Sequence, residues 1–251
     1  MGKIDDPVDA SFEAWPEEES NEAGEAAITV GEILSHWVTV AALVRDRFVS
    51  KNRAERANYL LRGVRLKFIE LEKRIGGLEG QMKEVNAKVA SPQFQEAAAL
   101  AAEESVRATS PQKIDEFASI LVASVDPSIV EDSAADASSL IRDVAQLSAM
   151  DLQVLGRLKT VYGFLFPPYP SDLNPNSFTE KIQDFKDAVT ASGLLVEEFQ
   201  SVCDRLRGFG LAAEVLRNTS RMSLTDYCYR PTRRGLKLLK LLGNSINETA
   251  R

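Results

Sequence analysis

Catalysis near neutral pH needs a base, a nucleophile or a set of metal ligands, and the 251-residue chain offers few of these. His36 is its only histidine, and it sits beside Trp37 on an apolar helical stripe with no acid-base partner in view. Cys203 and Cys228 have no further ligands at metal-binding spacing and form no disulfide framework. A serine or cysteine nucleophile would need a base, and most of the chain separates His36 from both cysteines. The carboxylate pairs Glu103-Glu104, Asp132 with Asp136, and Glu197-Glu198 have the spacing of solvated helix faces. No G-x-x-x-x-G-K-[ST] phosphate loop occurs, and Gly76-Gly-Leu-Glu-Gly80 lies inside a heptad run, not after a strand. These residues predict a protein that is not an enzyme and uses no metal or cofactor.

Arginines make a better chemical case. Arg205 and Arg207 close a helix read at 196–207, Arg217 and Arg221 lie in a polar loop, and Arg230, Arg233 and Arg234 follow. Guanidinium groups clustered in this way suit phosphate contacts. The helix that would enter a major groove, however, opens with Glu197-Glu198 and carries Asp204. Those acids would repel phosphates, and Gln200 alone is left to read base edges. The residue types favour a protein partner, with duplex DNA as the alternative.

The elements that must position these residues begin with a seam from Ala57 to Val89. Ala57, Leu61, Val64, Phe68, Leu71, Ile75, Leu78, Met82, Val85 and Val89 are spaced four, three, four, three, the 3.5-residue period of a coiled coil. A continuous helix of that length would be about 50 Å long. Lys67 with Glu72, and Arg74 with Glu79, have the g-to-e′ spacing that favours a parallel homodimer. The alternative facing surface is a helix read at about 29–49, whose stripe of Ile33, Trp37, Val40, Ala41, Val44 and Phe48 could fold back on it. Gly76, Gly77 and Gly80 interrupt the seam at about 1 kcal/mol each against alanine, and mark a bend or a close helix approach.

Ser91-Pro92 and Ser110-Pro111 each combine an N-cap with a proline suited to the first helical position. They open helices that end near Arg107 and near Asp126-Pro127, and a further helix runs from about 134 to 147. Ser148-x-x-Asp151 and Ser177-x-x-Glu180 are capping boxes of two more helices, with the proline-rich run 166–176 between them. A turn at Ala191-Ser-Gly193 precedes the helix at 196–207, whose inward face is Phe199, Val202, Cys203 and Leu206. A strand-like run from Gly208 to Leu216, a polar loop, a returning strand at 223–229 and an amphipathic helix to Leu242 complete the chain's order. Helix, helix, turn, helix, strand, wing, strand, helix is the order of a winged helix-turn-helix.

Two stretches carry a resemblance. Ala191-Ser-Gly-Leu-Leu-Val-Glu-Glu-Phe, Gly208-Phe-Gly-Leu211 and Tyr229-Arg-Pro-Thr-Arg-Arg-Gly-Leu236 resemble the "turn, helix, G-L, strand, Y-x-[LP]-T-x-x-G" pattern of bacterial winged-helix modules. Lys113-Ile-Asp-Glu-Phe-Ala-Ser-Ile-Leu121 with Ala145-Gln-Leu-Ser-Ala-Met-Asp-Leu-Gln-Val-Leu155 is similar to a loose group of bacterial helical proteins that includes the Abi-alpha type associated with abortive infection. The resemblance spans about residues 90–243 and implies a helical bundle joined to a winged helix, with a link to phage defence. It supplies no catalytic residues.

The predicted fold class is mainly α: a disordered acidic tail (1–24), a helical bundle with a long coiled-coil helix (25–147) and a winged-helix-like domain with a small β-hairpin (148–251). Residues 1–26 carry nine acids against Lys3 alone, whereas residues 194–251 carry ten bases against six acids. Phe12 and Trp15 are the tail's aromatic pair, suited to docking on a groove. Apolar runs are too short to span a bilayer and no signal sequence opens the chain, so a cytoplasmic protein is expected. The candidate interaction residues are Leu61, Val64, Phe68, Leu71, Ile75, Leu78 and Met82 in the seam, and Arg205, Arg207, Arg217, Arg221, Arg233 and Arg234 for nucleic acid.

Overall fold

A computed structural model describes residues 37, 41–42, 51–75, 78–129, 134–162, 187, 189–215 and 228–243. The described chain is mainly helical with one small two-stranded antiparallel sheet. It divides into two compact units, Met1–Ala145 and Gln146–Arg251. The expected acidic tail with Phe12 and Trp15, His36, the second capping box at Ser177, and Arg217 and Arg221 all lie outside the described residues.

The first unit is built on α1 (Lys51–Ile75), α2 (Glu79–Val89), α3 (Pro92–Arg107), α4 (Pro111–Val125) and α5 (Ala134–Gln146). α4 is its central helix: Ile114 and every residue from Glu116 to Val125 are buried. A helix that is apolar all round must be covered on all sides, and α1 and α3 both pack on it. From Glu116 to Val125 the fold buries its whole circumference. Its buried hydroxyls are satisfied within the helix, Ser119 Oγ donating to Asp115 O (2.9 Å) and Ser124 Oγ to Leu121 O (2.7 Å). That removes the cost of burying an unpaired polar group.

The continuous rod expected from the heptads is two helices. α1 stops at Ile75, and Leu78 takes a non-helical N-cap conformation (φ −74°, ψ 86°) before α2 restarts. Leu78 stands two residues before Gly80, in a glycine-bearing stretch of low helix propensity. The upper seam faces its own chain: Ala57, Leu61, Val64, Phe68, Leu71 and Ile75 are all buried, and α1 packs against α3 and α4. Leu60, off the heptad, is buried as well. It widens the apolar stripe to meet two neighbours, as in a bundle, where a two-stranded coil would need only a and d. The homodimer expected through this seam therefore has no open face between Ala57 and Ile75. Past the break the pattern fails outright at Leu78, which is 56 % exposed, and Met82 is half-buried. Arg74, expected to reach Glu79 of a second copy, pairs with Asp126 of the same chain.

Local signals at the other helix starts agree with the sequence reading. Ser91 Oγ accepts from Phe94 N and Ser110 Oγ from Lys113 N, both at 3.3 Å, each with proline at the first turn. Basic side chains satisfy helix C-termini across the unit: Arg56 Nη1 donates to Val106 O (2.6 Å) at the end of α3, and Lys113 Nζ to Val144 O (3.0 Å) at the end of α5. Trp37, Phe68 and Phe94 form an aromatic cluster with ring centroids 5.8–6.3 Å apart, in tilted and edge-on arrangements. Aromatic quadrupoles favour these geometries over face-to-face stacking.

The second unit contains α6 (Ala149–Tyr162), α7 (Val196–Gly208), β1 (Ala212–Val215), β2 (Cys228–Pro231) and α8 (Arg233–Leu242). β1 and β2 pair antiparallel in the register Ala212 with Pro231 to Val215 with Cys228. Pro231 carries no N–H, and its place at the end of the ladder suits that loss. α6 packs on α7, β2 and α8, with Leu152, Leu155 and Leu158 buried.

Candidate interaction site

α7 is the element that the sequence offers as a recognition helix. A turn precedes it: Gly193 adopts φ +72° and its N–H donates to Thr190 O (3.2 Å). Glycine takes that left-handed conformation without the Cβ clash other residues suffer. The helix starts with Leu195 as N-cap, and Glu198 Oε2 accepts from Leu195 N (2.9 Å). Phe199, Val202, Cys203 and Leu206 are buried, the inward face expected from their spacing. Burial, aided by the neighbouring Asp204, pushes the Cys203 thiol well above its ordinary range, so it packs as an apolar group rather than a nucleophile.

The exposed residues of α7 differ in chemistry between its two ends. At the C-terminal end stand the arginines proposed for phosphate. Arg205 reaches back to α6, where its Nε and Nη2 donate to Asp151 Oδ1 at 2.9 and 2.5 Å. Asp151 is only 1 % exposed, and its other oxygen accepts from Ser148 N (2.7 Å) and Ser148 Oγ (2.8 Å). Ser148 Oγ in turn accepts from Asp151 N (3.2 Å), the reciprocal box legible in the sequence. One buried carboxylate thus caps α6 and anchors α7. Arg207 Nη1 donates to Glu214 Oε2 on β1 (3.1 Å) and lies 3.8 Å from Asp204 Oδ1. Both guanidinium groups thus lie against carboxylates of their own unit. Asp204, read from sequence as a charge that would repel phosphate, accepts from Tyr229 Oη (2.9 Å) and ties α7 to β2. Burial, with that bond second, raises the Tyr229 phenol above its ordinary range.

At the N-terminal end Leu195 is 68 % and Val196 46 % exposed, beside the exposed Glu197 and Glu198. Among the described residues four large hydrophobic side chains are exposed, Leu66, Leu78, Leu195 and Val196, and only the last two adjoin in sequence. Charge had drawn attention to this end in the sequence, but its apolar pair was missed. The period gave no signal of it: Leu195 and Val196 fall three, four and seven residues before Phe199, Val202 and Cys203 and so read as a continuation of the inward stripe.

Gly210, Leu211, Thr232 and Gly235 tie the end of α7 to the start of α8. Gly210 (φ +68°) turns the chain, and Leu211 is buried. Thr232 N donates to Leu211 O (2.9 Å), its Oγ1 donates to Gly210 O (2.6 Å), and that same Oγ1 accepts from Gly235 N (3.1 Å) as the cap of α8. A Cβ on Gly235 would lie 2.1 Å from Leu211 O. The glycine of T-x-x-G is therefore required by contact of α8 with the backbone leading into β1. Arg233 on α8 is exposed, while Arg230 and Arg234 are half-buried.

Among the described residues no group of three or more His, Cys, Asp or Glu side chains is placed to hold a metal ion. No described helix is long and apolar enough to cross a membrane. No family model, curated protein or solved structure matches the chain.

Proposed function

We propose that this chain is a non-enzymatic binding protein whose second unit is a winged-helix module that docks another protein. The order of helix, turn, helix, hairpin and capped helix supports the winged-helix reading, together with the Gly193 turn and the Thr232–Gly235 clasp. One observation carries the choice of protein over DNA. The arginines of α7 are bonded to Asp151 and Glu214, while its opposite end offers Leu195 and Val196 to solvent beside Glu197 and Glu198. A helix presenting that end to a phosphate backbone would meet like charge and gain no contact from its leucine.

The second reading is a DNA-binding regulator, linked through the Abi-alpha resemblance to phage defence. The exposed Arg233 favours it, with Arg217 and Arg221 adding two more bases to the sequence between the strands. Fluorescence anisotropy of a labelled random duplex, titrated with the full chain at low and moderate salt, separates the two. Protein docking predicts weak binding that an Arg217→Ala/Arg221→Ala variant leaves unchanged. Micromolar binding that falls steeply with salt and disappears in that variant overturns it.

A further inference from the structure

Resting on the protein-docking reading, we propose that the N-terminal end of α7 is the contact surface and that it takes a basic amphipathic helix. The patch is Leu195 and Val196, preceded in sequence by the half-buried Leu194 and followed by Glu197 and Glu198 on the first turn. The two charges on that first turn, Glu197 and Glu198, are both negative and exposed. Two adjoining exposed aliphatic side chains followed directly by two exposed acids match a partner with the inverse arrangement, aliphatic residues flanked by lysine or arginine. Complementarity of this kind sets specificity, because an acidic partner with the same apolar face would be repelled. Glu198 also accepts from Leu195 N, so the cap that starts the helix holds the backbone beneath the patch.

The probe is a labelled helical peptide of leucine and lysine, compared by anisotropy with one carrying glutamate for every lysine. We expect the full chain to bind the lysine peptide saturably and the glutamate peptide at least tenfold more weakly. Leu195→Ser/Val196→Ser and, separately, Glu197→Lys should each weaken the lysine peptide at least tenfold. Leu66→Ser, which removes an exposed leucine of the other unit, should change nothing. Circular dichroism and a thermal melt confirm that each variant is folded, as their exposure implies. No saturable binding of the lysine peptide, equal binding of both peptides, or binding insensitive to positions 195–197 overturns the proposal. If that happens while duplex binding stays weak, only this surface is lost. Arginine-dependent duplex binding removes the protein-docking reading itself.

Discussion

Gly235→Ala perturbs the second unit at its tightest contact. The added methyl carbon would stand 2.1 Å from Leu211 O, 3.0 Å from Leu211 C and 3.2 Å from Leu155 Cδ1. Two of these atoms are backbone, so no rotamer change relieves the clash, and α8 must move away from the lead-in to β1. That movement pulls on the bonds from Thr232 N to Leu211 O (2.9 Å) and from Thr232 Oγ1 to Gly210 O (2.6 Å). Overpacking costs about 1–3 kcal/mol, and a strained hydrogen bond adds about 1 kcal/mol. Alanine's better helix propensity returns up to about 1 kcal/mol. The net expectation is a loss of about 2 kcal/mol, or roughly 1 M in the urea midpoint for a slope of about 2 kcal/mol/M. Gly208→Ala is the control, because a Cβ there meets nothing within 4 Å. It should leave the midpoint unchanged or raise it. If Gly235→Ala unfolds within about 0.5 kcal/mol of the unaltered protein, the clasp reasoning is wrong.

Other expectations concern the buried charges and the seam. Arg205→Ala strips the guanidinium from the nearly buried Asp151 and should lower stability by roughly 1–3 kcal/mol in a thermal melt, since Ser148 still serves one carboxylate oxygen. Glu116 is 5 % exposed, and burial raises its carboxyl above the ordinary 4.5 despite Lys113 Nζ at 3.0 Å. The folded state thus holds that proton more tightly than the unfolded chain, so its contribution to stability falls as pH rises from about 4.5 through the raised value. Glu116→Gln removes this loss, and its urea midpoint relative to the unaltered protein should climb across that window and stay level above it. Leu71→Asp places a charge at a site 2 % exposed and should cost about 4 kcal/mol or more, unfolding the first unit. Sedimentation giving a folded monomer from a dimeric parent would instead restore the intermolecular seam.

Legibility in the sequence followed the range of each interaction. The caps at Ser91, Ser110 and Ser148 were readable because donor and acceptor lie within three residues. The inward stripe of α7 was readable because it is a period. The partner of a stripe is not: heptad spacing from Ala57 to Ile75 requires a facing apolar surface, but α3 and α4 supply it only once the chain has folded. Leu60 was the clue that the stripe is too wide for a two-stranded coil. Arg205 with Asp151 spans 54 residues and Arg74 with Asp126 spans 52, beyond any local pattern. The carboxylates that the fold brings to Arg205 and Arg207 were therefore not visible from their own neighbourhood in the sequence. The glycine of T-x-x-G was visible as a pattern, but its cause, a carbonyl on the far side of the hairpin, was not.

Docking by protein at the head of α7, as opposed to phosphate binding near its tail, can be decided by site-specific photocrosslinking of the full chain in its native cells. A photoreactive phenylalanine is placed at Leu195 or at Arg233, with each sample divided between nuclease and protease treatment. We expect discrete adducts from position 195 that survive nuclease and vanish with protease. Adducts confined to position 233 that nuclease removes would contradict the assignment.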